Sequence, residues 1–543
     1  MGVSIGVDEP ESALWARALE RAGLAEEEVR GLRIGHRSLD ARRRGASREV
    51  RFVVHVDLQL AAGFETDAGG GFREAVRSGR VVARAAPAEL ACDRRHASLV
   101  GARVAVVGAG PAGLFAALTL ARSGVHVDLI DRGPVLAERS HALARFLRTR
   151  SLDPEANLLF GEGGAGAYSD GKIYTRVDHP LEMPILEELI ACGAPADIAY
   201  DARAHIGTDR LHRVLPALRA RMQAEGVHFH WRTRLEGLVF DAGEGGRRVR
   251  ALATSIGEMP CDAVVLALGH SARDTFERLL VQGVAFEGKS FQLGVRIEHP
   301  QSLIDAGRYG DAALAGRLGA AYYGLRCKSG QGAAAAHSFC MCPGGQIVAS
   351  VNVPGLLCTN GMSNSRHSSP FANAALVTTL GRRELGDDPF AGVALQEELE
   401  RRFFEAGGGD YTAPGQRAPD FLAGRISSGI GRSSYSFGLV GERIDALLPE
   451  RVRDALRHAL GRFDRQIPGY AGPEALLVGI ESRSASPIRM PRGGEDRLAA
   501  GFSNLYPVGE GAGYAGGIMS AAIDGARSAQ RLLEVGVARS LRG

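Results

Sequence analysis

The stretch Arg103–Gly133 reads RVAVVGAGPAGLFAALTLARSGVHVDLIDRG and restricts the fold more than any other. RVAVVG is a near-continuous apolar run, as expected of a parallel strand buried on both faces. Pro111–Ser123 predicts a helix, and Pro111 suits its first turn, where no backbone N–H is needed. VHVDLID predicts a second strand, so about 30 residues form a strand–helix–strand unit. Gly108, Gly110 and Gly113 satisfy G-x-G-x-x-G. The first permits the tight turn, the second lets backbone approach a pyrophosphate, and the third lets helix and strand pack closely. Gly110, Pro111 and Ala112 open the helix, whose free N–H groups and positive end suit phosphates. Asp131 ends the second strand, placed to accept hydrogen bonds from ribose hydroxyls, with Arg132 beside it. Alone, the motif implies only a bound dinucleotide. Gly161–Gly166 matches the same pattern but follows no clear strand and opens no apolar helix, so it is not read as a second such turn.

The remaining sequence divides around this unit. Residues 1–98 predict a small α+β domain, with a helix over Glu11–Ala22 and a strand over Arg51–Leu60. Arg42-Arg43-Arg44 reads as a solvated loop or strand end, Gly69–Gly71 as a flexible loop and Ala85–Val100 as a linker. Further nucleotide-domain elements are predicted at Val227–Thr233 (strand), Thr208–Gly226 (helix), Asp262–Gly269 (strand) and Leu505–Leu533 (strand, glycine turn, long helix). The expected fold class is α/β: a discontinuous Rossmann-like FAD-binding domain (99–273 and 505–543), an inserted α+β substrate domain (274–504) and the N-terminal α+β domain. The cofactor assignment within that scheme rests on the resemblance below.

Charge excludes little and suggests less. With 65 basic and 62 acidic residues the net charge is +3, which gives no general drive toward nucleic acid or membrane. No run of about 18 apolar residues predicts a membrane span. Met1–Pro10 carries Asp8 and Glu9 and no apolar core, unlike a signal peptide. Seven scattered cysteines do not form a disulfide framework, which fits a reducing cytoplasm. Cys340-Met341-Cys342 lacks a second ligand pair at metal spacing, so small packed residues in a strand or turn are expected, with a metal or redox role as the lesser alternative.

Several separated blocks resemble one family. The order of βαβ unit, glycine-rich loop Gly161–Lys172 (GEGGAGAYSDGK), middle strand, strand end Leu266–Gly269 and turn Gly509–Gly513 (GEGAG) resembles the glutathione-reductase-like FAD/NAD(P)-binding flavoproteins. Leu268 stands where Thr would be usual, and Glu510 where Asp is commoner. HIGTD (205–209), LGVRIEHP (293–300), SFCMCPGG (338–345) and ESRSASPIRMPR (481–492) look like the bacterial uncharacterised FAD-dependent dehydrogenase family. That resemblance implies FAD as cofactor and an oxidoreductase scaffold, with no agreed substrate. It places FAD against Gly163, Gly164, Ala165, Gly269, Gly509, Glu510, Gly517 and Ile518. The helix after Gly517 would aim its positive end at the flavin pyrimidine.

A flavin performs the electron transfer while the protein positions substrate and tunes the ring. Few catalytic side chains are therefore expected. Lys172 is the first candidate, one of three lysines in a chain that otherwise uses Arg; the alternative is an exposed loop residue. Arg483 and Arg489 could bind a substrate anion bidentately or belong to a structural ion-pair network. His270 follows the strand end and is expected to face cofactor or substrate; His205 and His337 are weaker candidates. Tyr514 either caps the flavin or packs. No second convincing dinucleotide turn appears, which leaves NAD(P)H as a transient donor over the flavin, or a substrate that supplies the hydride itself. The expected partner is a small molecule. An RNA-modifying flavoenzyme and a non-enzymatic redox sensor or electron relay are the alternatives; the near-neutral charge disfavours RNA.

Overall fold

The computed structural model describes residues 2–41, 43–44, 47–48, 50–64, 70–84, 88–91, 95–175, 177–241, 247–311 and 314–537. Arg42, Gly69 and parts of 85–100 lie outside the described residues. The fold is mixed α/β.

Five parallel strands form one sheet in the order Leu505–Pro507, Ala263–Leu266, Arg103–Val107, His126–Ile130 and Val227–His230. The apolar run at Arg103 is continuous because both faces of its strand are covered. Val104 and Val106 pack with Leu118, Leu218 and Leu532 of the helices Pro111–Arg122, Thr208–Ala224 and Ile518–Val535. Ala105 and Val107 face the other way, onto Leu238 and Leu252 of a three-stranded antiparallel sheet. Phe276 of the helix Arg273–Val281, and Ile488 and Phe502, join that second cluster. The last helix lies tightly on the first: a Cβ on Gly525 would stand 1.9 Å from the Ala112 carbonyl oxygen.

A seven-stranded sheet runs Arg326–Cys327, Ala336–Cys342, Phe371–Leu380, Phe291–Pro300, Leu476–Glu481, Ala413–Arg417 and Leu439–Gly441. Its central pair, Phe291–Pro300 and Phe371–Leu380, is antiparallel and in register over ten residues. These strands are buried along most of their length because the helices Ala391–Ala406 and Glu450–Asp464 cover the sheet through Leu399, Phe403, Leu456 and Phe463. The ends of Ala336–Cys342 and Leu476–Glu481 carry Cys340 and Glu481 to the cleft described below.

The N-terminal unit is a three-stranded antiparallel sheet, Val3–Gly6, Arg51–Leu60 and Val29–Asp40, with the helix Ala13–Ala22 packed on it through Leu14 and Ala18. Arg37 docks it on the rest: its N–H donates to the Tyr200 carbonyl (2.6 Å) and its guanidinium meets Asp201 (3.2 Å). Three local expectations shift. The helix begins at Ala13, after a turn over Glu11 and Ser12. The strand from Val227 stops at His230 because Arg232 turns left-handed (φ 55°). Gly70 and Gly71 open the helix Gly70–Arg77 rather than a loop, where Gly71 lies against the Gly23 backbone.

Candidate active site

A cleft runs from the dinucleotide turn to the seven-stranded sheet. Its walls reach from the parallel sheet to the seven-stranded sheet, a span that suits an extended ligand. Gly108, Gly110, Pro111, Ala112, Asp131 and Arg132 line it near one end. Gly108 has φ 109°, and a Cβ there would sit 2.3 Å from the Ala267 carbonyl oxygen; one on Gly113 would sit 1.8 Å from that of Gly108. Gly113 therefore packs behind the wall instead of lining it. Gly164 and Ala165 close over the turn, with Gly164 against Gly110. Gly163 also sits behind the wall, donating to the Ala109 carbonyl (2.9 Å) and abutting Leu215.

Asp131 is more occupied than its sequence position suggests. One oxygen accepts from the Ala109 N–H (2.7 Å), and the other from Gly133 (2.8 Å) and Gly161 (2.9 Å). A carboxylate offers about four acceptor directions, so one remains for a ribose hydroxyl. The Arg132 guanidinium is committed to Glu155 (2.6 Å) and Asp274 (2.8 Å), so it shapes the wall as part of an ion-pair cluster. Two residues that motif reading missed hold the loops. Fully buried Arg139 donates to the carbonyls of Asn157, Glu162 and Gly164. Asp524 accepts from the Gly509 N–H (2.8 Å) while paired with Arg492 and Arg497. Gly269, Gly509, Glu510, Gly517 and Ile518 line the cleft, and Ile518 begins the long last helix.

Lys172 is no exposed loop residue. It is largely buried in the cleft wall, with its ammonium 2.6 Å from Asp170 and 3.8 Å from the sulfurs of both Cys340 and Cys342. The cysteine pair lies in the strand Ala336–Cys342, as expected, with Cys342 buried, Cys340 half-buried and both sulfurs beside Lys172. Asp170, in turn, bonds Ser363 and lies 4.0 Å from His367. His205 stacks on His367 at 4.2 Å, while His337 lies in the strand Ala336–Cys342.

Arg483 and Arg489 are not brought together as an anion site. Arg483 lines the cleft, but its fork grips Glu400 (2.6 and 2.9 Å) and it also bonds Asn352. Arg489 lies outside the lining, in a short strand paired with Glu287–Gly288, with its guanidinium 5.2 Å from the Tyr514 ring. Tyr514 is likewise held away from the cleft: Arg492 stacks on it at 3.7 Å and the Arg492 N–H donates to its hydroxyl.

His270 lines the cleft with Nδ1 3.8 Å from Glu510. Burial, then Arg483 and Arg273, push its pKa down to about 3, so the ring is neutral at physiological pH; burial raises Glu510 to about 7. A folded pKa below the unfolded value means that the unfolded chain takes up the proton first. His270 therefore destabilises the fold as pH drops from about 6.5 toward 3, by up to about 1.4 kcal/mol per pH unit. Urea denaturation at pH 7 and pH 5 should show a smaller acid loss for His270→Asn than for the unmodified protein. Equal losses would assign the acid sensitivity elsewhere.

Sequence comparison meets this geometry at both ends of the cleft. A family model described as FAD dependent oxidoreductase matches residues 103–205, and one described as FAD-dependent protein, C-terminal domain-like, matches 290–484. An uncharacterized protein of Clostridium beijerinckii is 37% identical over 541 residues, covering 98% of each chain. The chain belongs to the FAD-dependent oxidoreductase family. Solved structures with weaker likeness include NikD, described as an unusual amino acid oxidase (14% identity, 81% of this chain and 95% of that one, TM-score 0.31). Another is CtdE in complex with FAD (10% identity, 80% and 86%, TM-score 0.30). The residues present fit FAD: Gly108, Gly110 and Gly164 clear a backbone cradle, and a helix N-terminus stands at Gly110. Among the described residues no group of three or more His, Cys, Asp or Glu could hold a metal, and no helix is long and apolar enough to cross a membrane.

Proposed function

We propose that this FAD-dependent enzyme oxidises or reduces a small molecule at the end of the cleft formed by Lys172, Cys340, Asn360 and Glu481. The single supporting observation is that the cleft extends past the dinucleotide turn into a wall of buried titratable groups on the seven-stranded sheet. On this reading the FAD-binding domain is discontinuous, because Leu505–Pro507 and Ala263–Leu266 are neighbours in one sheet. The segments around the seven-stranded sheet form the substrate domain. The family is the bacterial FAD-dependent dehydrogenase group resembled in sequence.

FAD supplies a two-electron acceptor or donor when bound. The chain's residues do the rest. Gly108, Gly110 and the helix Pro111–Arg122 receive the pyrophosphate, and the remaining acceptor direction of Asp131 receives a ribose hydroxyl. Gly517 and Ile518 present a helix N-terminus that stabilises negative charge. Neutral His270 offers a hydrogen bond without charge, and Glu510 holds or releases a proton near neutrality. NAD(P)H remains a candidate transient donor, and a cytoplasmic location the expected setting.

The test is anaerobic. The protein is purified, its flavin identified, and the flavin absorbance followed with NADH, NADPH and a panel of small metabolites. Bleaching by one metabolite is expected of a dehydrogenase, and bleaching by a nicotinamide nucleotide alone of a reductase. A flavoprotein that no small molecule bleaches would instead be an electron relay. Failure to bind FAD would sink the reading altogether.

A further inference from the structure

Two sulfurs and one ammonium stand together at the end of the cleft where the proposed reaction takes place. Cys340 and Cys342 lie two residues apart in the strand Ala336–Cys342, and both sulfurs face the same ammonium, that of Lys172. An undistorted strand at about 3.3 Å per residue would hold their Cα atoms near the roughly 6.8 Å upper limit for a disulfide. This strand is distorted. Its register against Phe371–Leu380 slips between Phe339 and Cys342, and Cys340 has φ 44°. A bulge bends and twists the strand, and left-handed backbone at a non-glycine costs about 1–3 kcal/mol and persists only when neighbours enforce it.

Arg296 enforces it. Fully buried, it donates to the Cys340 carbonyl (3.0 Å) and to Asn360 (2.6 Å) while bonded to Glu481 (2.7 Å). The Lys172 ammonium stands 3.8 Å from each sulfur. The Cys342 thiol's hydrogen bond, with Lys172 and Arg296, holds Cys340 well below the usual thiol range against the opposing effect of burial. The same hydrogen bond and burial push Cys342 up. One thiolate beside one thiol is the reactive form of a dithiol. Cys340 lines the cleft, and Cys342 lies buried behind it.

We propose that Cys340 and Cys342 form a dithiol–disulfide couple that exchanges an electron pair with FAD in this cleft. In the oxidising direction the Cys340 thiolate and the Cys342 thiol join in one S–S bond. Their two electrons and the Cys342 proton pass to oxidised FAD, which becomes its anionic two-electron-reduced form. Charge, atoms and electrons balance without a further reagent, and the reverse reaction opens the disulfide. Lys172 holds the thiolate, and the helix N-terminus at Ile518 favours the negative charge on the reduced cofactor. The proposal rests on FAD occupying the cleft, so flavin content is measured separately.

The test uses the purified holoprotein. It is equilibrated anaerobically in dithiothreitol buffers of graded redox poise, alkylated and digested, and the peptide carrying both cysteines is weighed. Reversible loss of two hydrogens from that peptide, with no alkyl group added, is expected. In a parallel dithionite titration the unmodified protein should consume about twice the reductant per flavin that Cys342→Ser consumes. Should Cys342→Ser fail to fold, Cys340→Ser and the peptide mass of the unmodified protein carry the same comparison. A protein that binds and reduces FAD but never forms the bond, or that titrates like the serine variant, overturns the couple alone. A protein that binds no FAD overturns the cofactor reading and the exchange with it, whatever the peptide mass.

Discussion

Replacing Glu400 by alanine is expected to cost about 3–5 kcal/mol of stability, the usual penalty for removing one partner of a buried ion pair. Glu400 is fully buried and accepts from Arg273 (3.0 Å twice), from Arg483 (2.6 and 2.9 Å) and from the Ser482 hydroxyl (2.6 Å). The two guanidiniums hold its carboxyl far below the usual range. Without it both cations stay buried with too few acceptors, and stranding them costs more than the lost hydrogen bonds themselves. The position also matters. Glu400 belongs to a helix covering the seven-stranded sheet, whereas Arg273 opens a helix packed on the parallel sheet. The pair therefore joins two layers beside His270. Urea denaturation of the cofactor-free protein measures the loss, and Glu400→Gln, which keeps shape and one acceptor, should fall between. A loss below about 1 kcal/mol would mean that the arginines find other partners and that the network is redundant.

Alanine at Gly113 is expected to damage fold and cofactor binding together, whereas alanine at Gly110 should damage binding alone. The Gly113 methyl would meet the Gly108 carbonyl oxygen at 1.8 Å. That atom is backbone of the turn, so the strand and helix must separate, at or above the ~3 kcal/mol end of overpacking penalties. At Gly110 the nearest atom to an added Cβ is the Gly164 Cα at 4.0 Å, and the residue faces the cleft. On the proposed reading the methyl then occupies room that the phosphate takes. Stability of the cofactor-free Gly110→Ala protein should change by under about 0.5 kcal/mol, while FAD affinity falls at least tenfold, about 1.4 kcal/mol. Unfolding curves paired with flavin titration separate the two. A Gly110→Ala protein that retains full affinity would place the pyrophosphate elsewhere.

The two ends of the cleft differ in how far sequence reveals them. The dinucleotide end is a local motif: Gly108, Gly110, Pro111 and Asp131 fall within one βαβ unit, whose spacing alone dictates the turn. The other end collects Lys172, Cys340, Asn360 and Glu481 from four separate segments. Their meeting depends on pairings such as Gly294 with Glu481 and Ala336 with Thr378, which no periodicity encodes. For that reason Cys340 and Cys342 read as ordinary packing, since their partner Lys172 is remote in sequence. Arg483 and Arg489 look equivalent in ESRSASPIRMPR, yet burial beside Glu400 consumes the first and a strand turns the second toward Tyr514. Arg139 and Asp524 carried no motif at all; what they grip is backbone of other loops.

The position of Leu505–Pro507 at the edge of the parallel sheet, followed by the helix Ile518–Val535, has a consequence for the ribosome. Between Leu266 and Ile518 lie about 250 residues, which take roughly 10–50 s to synthesise at ~5–20 residues per second. Through that interval the nascent chain carries the glycine turn without Gly509, Glu510, Gly517 and Ile518, which line the same cleft. On the proposed reading cofactor capture waits for that segment, and a chain cut before Gly509 is expected to retain less FAD.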